Sequence, residues 1–173
     1  GFLAVSRTDF IQGVMMFFAI LVVPVGAALM LGGFSATADL IHAQHAEFFA
    51  PLTKPDGSTL GFIEFISLMG WGLGYFGQPH ILVRFMAIRH AEELPQATRI
   101  AMSWVVISLS AAILVGMVGA VYLKTPLAGT ATETVFLTMA GELFPPVVAG
   151  LILAAVLAAI MSTASAQLLV AAS

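Results

Sequence analysis

Gly70-Trp71-Gly72-Leu73-Gly74-Tyr75-Phe76-Gly77-Gln78-Pro79-His80 lies inside an apolar stretch that is long enough to cross a bilayer. Four glycines and one proline fall within ten residues of this stretch. In a helix interior each glycine costs up to ~1 kcal/mol relative to alanine, and a proline about 3. Pro79 also deprives the Tyr75 carbonyl of the donor it would normally bond. The tract therefore predicts an interrupted helix at membrane depth. Such backbone is tolerated only against protein or beside a wet cavity.

The rest of the chain fits a bilayer. Hydrophobic residues make up 60% of the 173 positions and charged residues 9%, against about a quarter charged in a soluble domain. Mean hydropathy is +1.05. A soluble domain of this size exposes too much surface to keep so many apolar groups from water. Four apolar runs, at about residues 10–31, 62–88, 100–123 and 147–173, each match the roughly 20 helical residues that cross ~30 Å of hydrocarbon. They lack the alternation of a membrane barrel, so the expected fold is all-α and polytopic, one domain of four transmembrane helices. The chain opens at Gly1 without Met and closes at Ser173 within an apolar run, as an internal segment of a longer polypeptide would.

Charge sets the expected orientation. Arg84, Arg89 and Arg99, with His90, crowd the link between the second and third runs, and Arg7 precedes the first. The positive-inside rule puts these ends in the cytoplasm, and the assignment alternates consistently over four spans. Lys54 and Lys124 fall on the other side with Asp39, Glu47, Asp56, Glu64, Glu133 and Glu142. On that outer side, residues 36–49 read as a surface helix before the turn Lys54-Pro55-Asp56-Gly57. Residues 132–143 read as a short helix stopped by Pro145-Pro146. A net charge of −3 and six basic residues argue against nucleic acid. Cysteine is absent, which removes disulfides and thiolate metal sites. His42, His45 and Glu47 offer a metal-like cluster, for which a polar surface turn is the simpler account. No hydrolytic triad or phosphate-binding glycine loop is present, so neither an enzyme nor an organic cofactor is expected.

The side chains around the glycine tract suit a small solute. Trp71 and Tyr75, four apart, share a face of any helical portion. Their rings can bound an apolar body while the Tyr75 hydroxyl and the Gln78 amide supply hydrogen bonds. Glycine and proline also occur in membrane helices purely for packing and kinking, but their density beside two aromatics and a glutamine favours a binding role. His80 is open to substrate contact or to packing. Arg84 snorkels to the interface or serves an inner gate.

The fourth run turns polar at Ser162-Thr163-Ala164-Ser165-Ala166-Gln167. Ser and Thr hydroxyls in a helix fold back toward the carbonyl one turn earlier. The Ala159 carbonyl with the Ser162 and Thr163 hydroxyls thus offers three neutral oxygens for a sodium ion. On this stretch alone, helix packing explains the hydroxyls at least as well.

The run GWGLGYFGQPHILVRFMA (70–87) resembles the signature of the sodium/solute symporter family. MST-A-S-A-QLL (161–169) is similar to that family's sodium-site helix, and GFLAVSRTDFIQ (1–12) to its pattern ending Thr-Asp-x-x-Gln. Arg7 stands where that pattern has an aromatic or apolar residue, and Ala164 at a position that varies. The resemblance implies a five-plus-five inverted-repeat fold, with this segment holding the last helix of one repeat and three of the next. Remaining helices of the same polypeptide would complete the sites. It further implies that Trp71, Tyr75 and Pro79 bind proline, with Gln78 beside them. Ala159, Ser162 and Thr163 would hold sodium, and Asp9 and Arg84 would govern sodium dependence or gating. The implied activity is sodium-driven proline uptake by alternating access in a bacterial inner membrane. Symport of another small solute such as pantothenate, or a transporter-like sensor module, are the alternatives.

Overall fold

A computed structural model describes residues 2–50, 52–54, 57–74 and 77–172, and for Phe2, Trp71, His80, Val83 and Arg84 the backbone alone. Among the described residues the fold is helical, and the single extended feature is an isolated bridge between Thr53 and Thr59. Seven helices follow in order: α1 (Phe2–Met30), α2 (Phe34–Gln44), α3 (Phe62–Gly74), α4 (Pro79–Met86), α5 (Leu94–Tyr122), α6 (Val135–Leu143) and α7 (Pro146–Ala171). Three of them, α1, α5 and α7, are long and apolar enough to cross a membrane.

The second apolar run is divided. Its first helix ends at Gly74 and the next begins at Pro79, where the glycine–proline tract predicts an interruption. Pro79 opens α4, the one helical position where its missing N–H costs nothing. The Gln78 carbonyl accepts the Ile81 and Leu82 amides at 3.0 and 3.2 Å, which starts the new helix. With 13 residues α3 rises only about 20 Å, so neither half crosses the hydrocarbon alone.

Helix α1 is the hub and packs along both α5 and α7, while α6 wedges between these three and α2 lies against α5. The core is built from small and medium residues: Ala19, Val23 and Ala27 of α1, Val115 and Val118 of α5, and Ile152 and Ala155 of α7. Met139 of α6 is the large side chain at its centre, wholly buried. Glycine makes room for it. A Cβ on Gly119 would stand 2.6 Å from Val135 and 3.0 Å from the Met139 sulfur. Small residues at helix crossings let the backbones approach in this way, as membrane packing requires.

The connections after α1 and before α3 are built as follows. Gly32 and Gly33, both with φ near +100°, turn the chain out of α1, and the Gly33 amide closes on the Ala28 carbonyl at 2.9 Å. Buried Thr37 then ties α2 back, its hydroxyl donating to Gly33 and Ala28 carbonyls at 2.8 and 3.3 Å. Lys54 leads through a turn closed by its own carbonyl and the Gly57 amide at 2.9 Å. Its ammonium pairs with Glu64 Oε1 at 2.6 Å, and Glu64 Oε2 accepts the Gly61 amide at 2.9 Å. Glu64 therefore caps the first turn of α3 and anchors the loop to it.

Candidate functional site

The decisive contact joins the two ends of the chain. Asp9 sits in the early turns of α1 and Ser162 in the later turns of α7, and the antiparallel packing of these helices brings them level. The Ser162 hydroxyl donates to Asp9 Oδ1 at 2.9 Å in a half-buried setting. Sequence reading directs that hydroxyl to the Ala159 carbonyl; the structure turns it across the interface. A carboxylate oxygen is the stronger acceptor, because charge-assisted hydrogen bonds are roughly twice as strong as neutral ones. Thr163 follows the expected course, its hydroxyl donating to the Ala159 carbonyl at 3.2 Å. Ser165 donates to the Ser162 carbonyl at 3.0 Å. The expected cluster is thus shared out: Ala159 and Thr163 stay together on α7, whereas Ser162 is drawn to α1.

Asp9 and Ser162 face a cleft of about 550 Å³. Its walls come from Ser6 and Gly13 of α1, Trp104 of α5, and Ala87 and Ile88, which follow α4. The Trp104 ring lies 3.7 Å from where a Gly13 Cβ would stand and stacks on Phe17 with centroids 4.4 Å apart. The second half of the interrupted span therefore ends beside the carboxylate. Ser6 and Ile88 adjoin Arg7 and Arg89, so the cleft opens at the end the arginines mark. Another cavity, of about 340 Å³, lies toward the opposite end among His45, Gly119 and Val135 and has no carboxylate in its described lining.

The glycine tract is open. Gly70, Gly72, Gly74 and Gly77 each have nothing within 4 Å of a would-be Cβ. Every described side chain of α3 is exposed, Ile63 to 84% and Leu73 to 72%. Gln78 is exposed as well. Tyr75 lies outside the described residues, as do the side chains of Trp71, His80 and Arg84, so the proposed substrate contacts are placed only through the helix ends that carry them.

The His42, His45 and Glu47 group does not converge. His42 stacks on Phe49 and His45 on Phe48, and His45 Nδ1 lies 3.0 Å from Glu47 Oε1. The Glu47 backbone amide, and then His45, hold the Glu47 carboxyl below its ordinary range. No cluster of three metal-ligating side chains occurs among the described residues.

Sequence reading passed over Trp104 and Gly13 and gave Gln12 no role beyond the Thr-Asp-x-x-Gln pattern. Gln12 lies one turn beyond Asp9, and its amide oxygen is buried with no hydrogen-bond partner among the described residues. Such an orphan costs about 1–3 kcal/mol. Only its place in the Thr-Asp-x-x-Gln pattern could have drawn attention to it.

The profile of the Sodium:solute symporter family matches residues 1–173. The chain belongs to that family. It is 46% identical to the sodium/proline symporter of Salmonella typhimurium over 98% of its own length and 34% of that protein. It is 45% identical to the sodium/proline symporter of Escherichia coli, again over 98% of the chain and 34% of the relative. The high-affinity proline transporter PutP of Bacillus subtilis is 45% identical over 98% of the chain and 35% of its own length. The chain thus spans about a third of these relatives. No solved structure matches it. As a symporter-family segment with three helices of spanning length, it is part of an integral membrane protein. Its relatives are transporters rather than enzymes.

Proposed function

We propose that this segment belongs to a transporter that couples inward sodium flow to proline uptake by alternating access, in the plasma membrane of a bacterium. The observation that carries the reading is the interruption between Gly74 and Pro79 in an otherwise apolar span. Broken helices in transporters offer half-helix ends and bare carbonyls to solute near the midplane. In this reading α3 and α4 together form the second of four spans, within a five-plus-five inverted repeat. Trp71, Tyr75, Gln78 and Pro79 line the substrate pocket at the break.

Sodium is held by Ala159, Ser162 and Thr163, with the rest of its shell supplied by other helices of the polypeptide. Asp9 draws the ion toward the cleft by its charge and competes for the Ser162 hydroxyl. Arg84 gates the same end. Sodium drives uptake by binding the outward-open state better than the inward-open one, since a ligand shifts an equilibrium only by its differential affinity. The sodium/proline symporters named above, at 45–46% identity, support proline as the solute.

The test is uptake of labelled proline by the full-length protein in sealed vesicles, with sodium or choline outside. Sodium-stimulated uptake is expected, with loss in Trp71→Ala and Tyr75→Ala at normal membrane abundance. Sodium-stimulated uptake of pantothenate with none of proline would overturn the substrate. Uptake indifferent to sodium would overturn symport itself.

A further inference from the structure

Between the late turns of α1 and α5 and one face of α2 lies a cavity of about 160 Å³ that takes no part in the site above. Ala28, Ile41 and Val118 in its walls are buried, whereas Val25, Phe34, Phe49 and Leu114 are exposed and form its rim. Thr37 is the one side chain with a hydrogen-bonding group among the described lining residues, and its hydroxyl is committed to the Gly33 and Ala28 carbonyls. Water has nothing to hold it there, because a buried water needs several polar partners. An apolar cavity of about 150 Å³ stays dry and admits benzene. Left empty, the lining forfeits packing contacts on its open side. The cavity suits an apolar occupant.

Depth says which. Pro24 lies six residues before the end of α1 and Leu114 eight before the end of α5, about 9 and 12 Å along the helix axes. Both helices are of spanning length, so the cavity lies in hydrocarbon just below the level where the spans end. The material at that depth is the upper part of a lipid acyl chain. Such a chain gains no hydrophobic free energy on leaving the bilayer for the cavity. Shape and the mouth must select it.

Helix α2 builds the mouth. Phe34, Thr37, Ala38 and Ile41 meet the cavity at i, i+3, i+4 and i+7. Asp39 and His42, three apart beside that stripe, are exposed. The His42 ring stacks on Phe49 of the rim with centroids 5.3 Å apart. An imidazole N–H donates to a phosphate or ester oxygen, and a carboxylate accepts from an ammonium. The pair matches a head group that carries both charges.

We infer that the cavity seats one acyl chain of a zwitterionic phospholipid from the leaflet bordering α2, with the head group at Asp39 and His42. The seated chain fills the space between α2 and the two spans. The inference is independent of the symport reading, since it concerns a separate cavity and its readout is not transport.

The experiment places full-length protein in vesicles containing phosphatidylethanolamine with a diazirine on the upper part of one acyl chain. After illumination, adducts are mapped by peptide mass spectrometry. They are expected to concentrate on Ile41, Leu114 and Met117. In Ala38→Phe, whose ring fills the cavity from an exposed position, they are expected to fall severalfold there and stay unchanged elsewhere. Phosphatidylglycerol with the same reporter is expected to label these residues severalfold less. Lining residues labelled no more than the rest of α1 and α5 overturn the inference, as they would if another helix of the polypeptide covered the mouth. Equal labelling in parent and Ala38→Phe overturns it too, and equal labelling by the two lipids overturns the head-group assignment. Labelling by a small aryl diazirine but not by the lipid marks a small apolar guest, and also overturns it. Should Ala38→Phe fail to reach the membrane, Val25→Phe fills the cavity from α1 and is read in the same way.

Discussion

Ser162 and Asp9 are hydrogen-bonded at 2.9 Å although 153 positions separate them in the chain. The bond couples the early turns of α1 to the later turns of α7, and those two helices share a long interface. If it acts as a unit, removing either partner abolishes the same interaction. Asp9→Asn and Ser162→Ala should therefore be non-additive, with a coupling of about 0.5–3 kcal/mol. Thermal unfolding of the purified full-length protein in choline medium measures the cycle. Strict additivity would show that the two side chains do not interact in the membrane.

The glycine tract separates stability from transport. Gly70, Gly72 and Gly74 have open space where a Cβ would stand, so alanine meets no obstacle within this segment. Each exchange adds up to ~1 kcal/mol of helix propensity. Gly74→Ala should leave membrane abundance and melting temperature intact or higher while proline uptake falls severalfold. Retained uptake would mean that the break is not needed for solute.

Gly119 presents the opposite case. Its would-be Cβ clashes with Val135 and the buried Met139, whereas that of Gly116, one turn earlier, meets nothing within 4 Å. Gly119→Ala should destabilise by about 1–3 kcal/mol through overpacking, and Gly116→Ala should be neutral or mildly stabilising. Differential scanning of the two variants side by side checks the contrast.

At the N-terminal end of α3, Glu64 serves Lys54 and the Gly61 amide together. The ion pair is partly exposed, and such pairs contribute about 0–1 kcal/mol. The cap is the larger effect. Glu64→Ala should destabilise more than Lys54→Met, by roughly 0.5–1 kcal/mol. Hydrogen exchange at residues 61–64 should rise in Glu64→Ala and stay near parent values in Lys54→Met.

Much of the fold was legible because hydropathy and helix length report the same physical limit. The runs at 10–31, 100–123 and 147–173 correspond to α1, α5 and α7. α1 nevertheless starts eight residues earlier, at Phe2, since a helix continues through Ser6, Arg7, Thr8 and Asp9 where an apolar window does not. Thr8 even supports it, donating back to the Val5 carbonyl at 2.8 Å. Proline alone proved a weak signal. Pro24 lies inside unbroken α1 among valines, while Pro79 follows four glycines and begins a new helix. The break was readable from the sum of propensities.

The site was less legible. Asp9, Ser162 and Thr163 stood out by type, but nothing local tells Ser162 to leave its own helix for a carboxylate on another. That preference depends on which helices pack together, a long-range property.

The Ser162–Asp9 contact also sets an order of events during synthesis. When Asp9 joins the growing chain, its partner residue is still 153 codons from being translated. At about 5–20 residues per second the wait is roughly 8–30 s. Throughout that interval Asp9 is without the Ser162 hydroxyl. The α1–α7 contact can therefore close only after the intervening helices of this segment have been made.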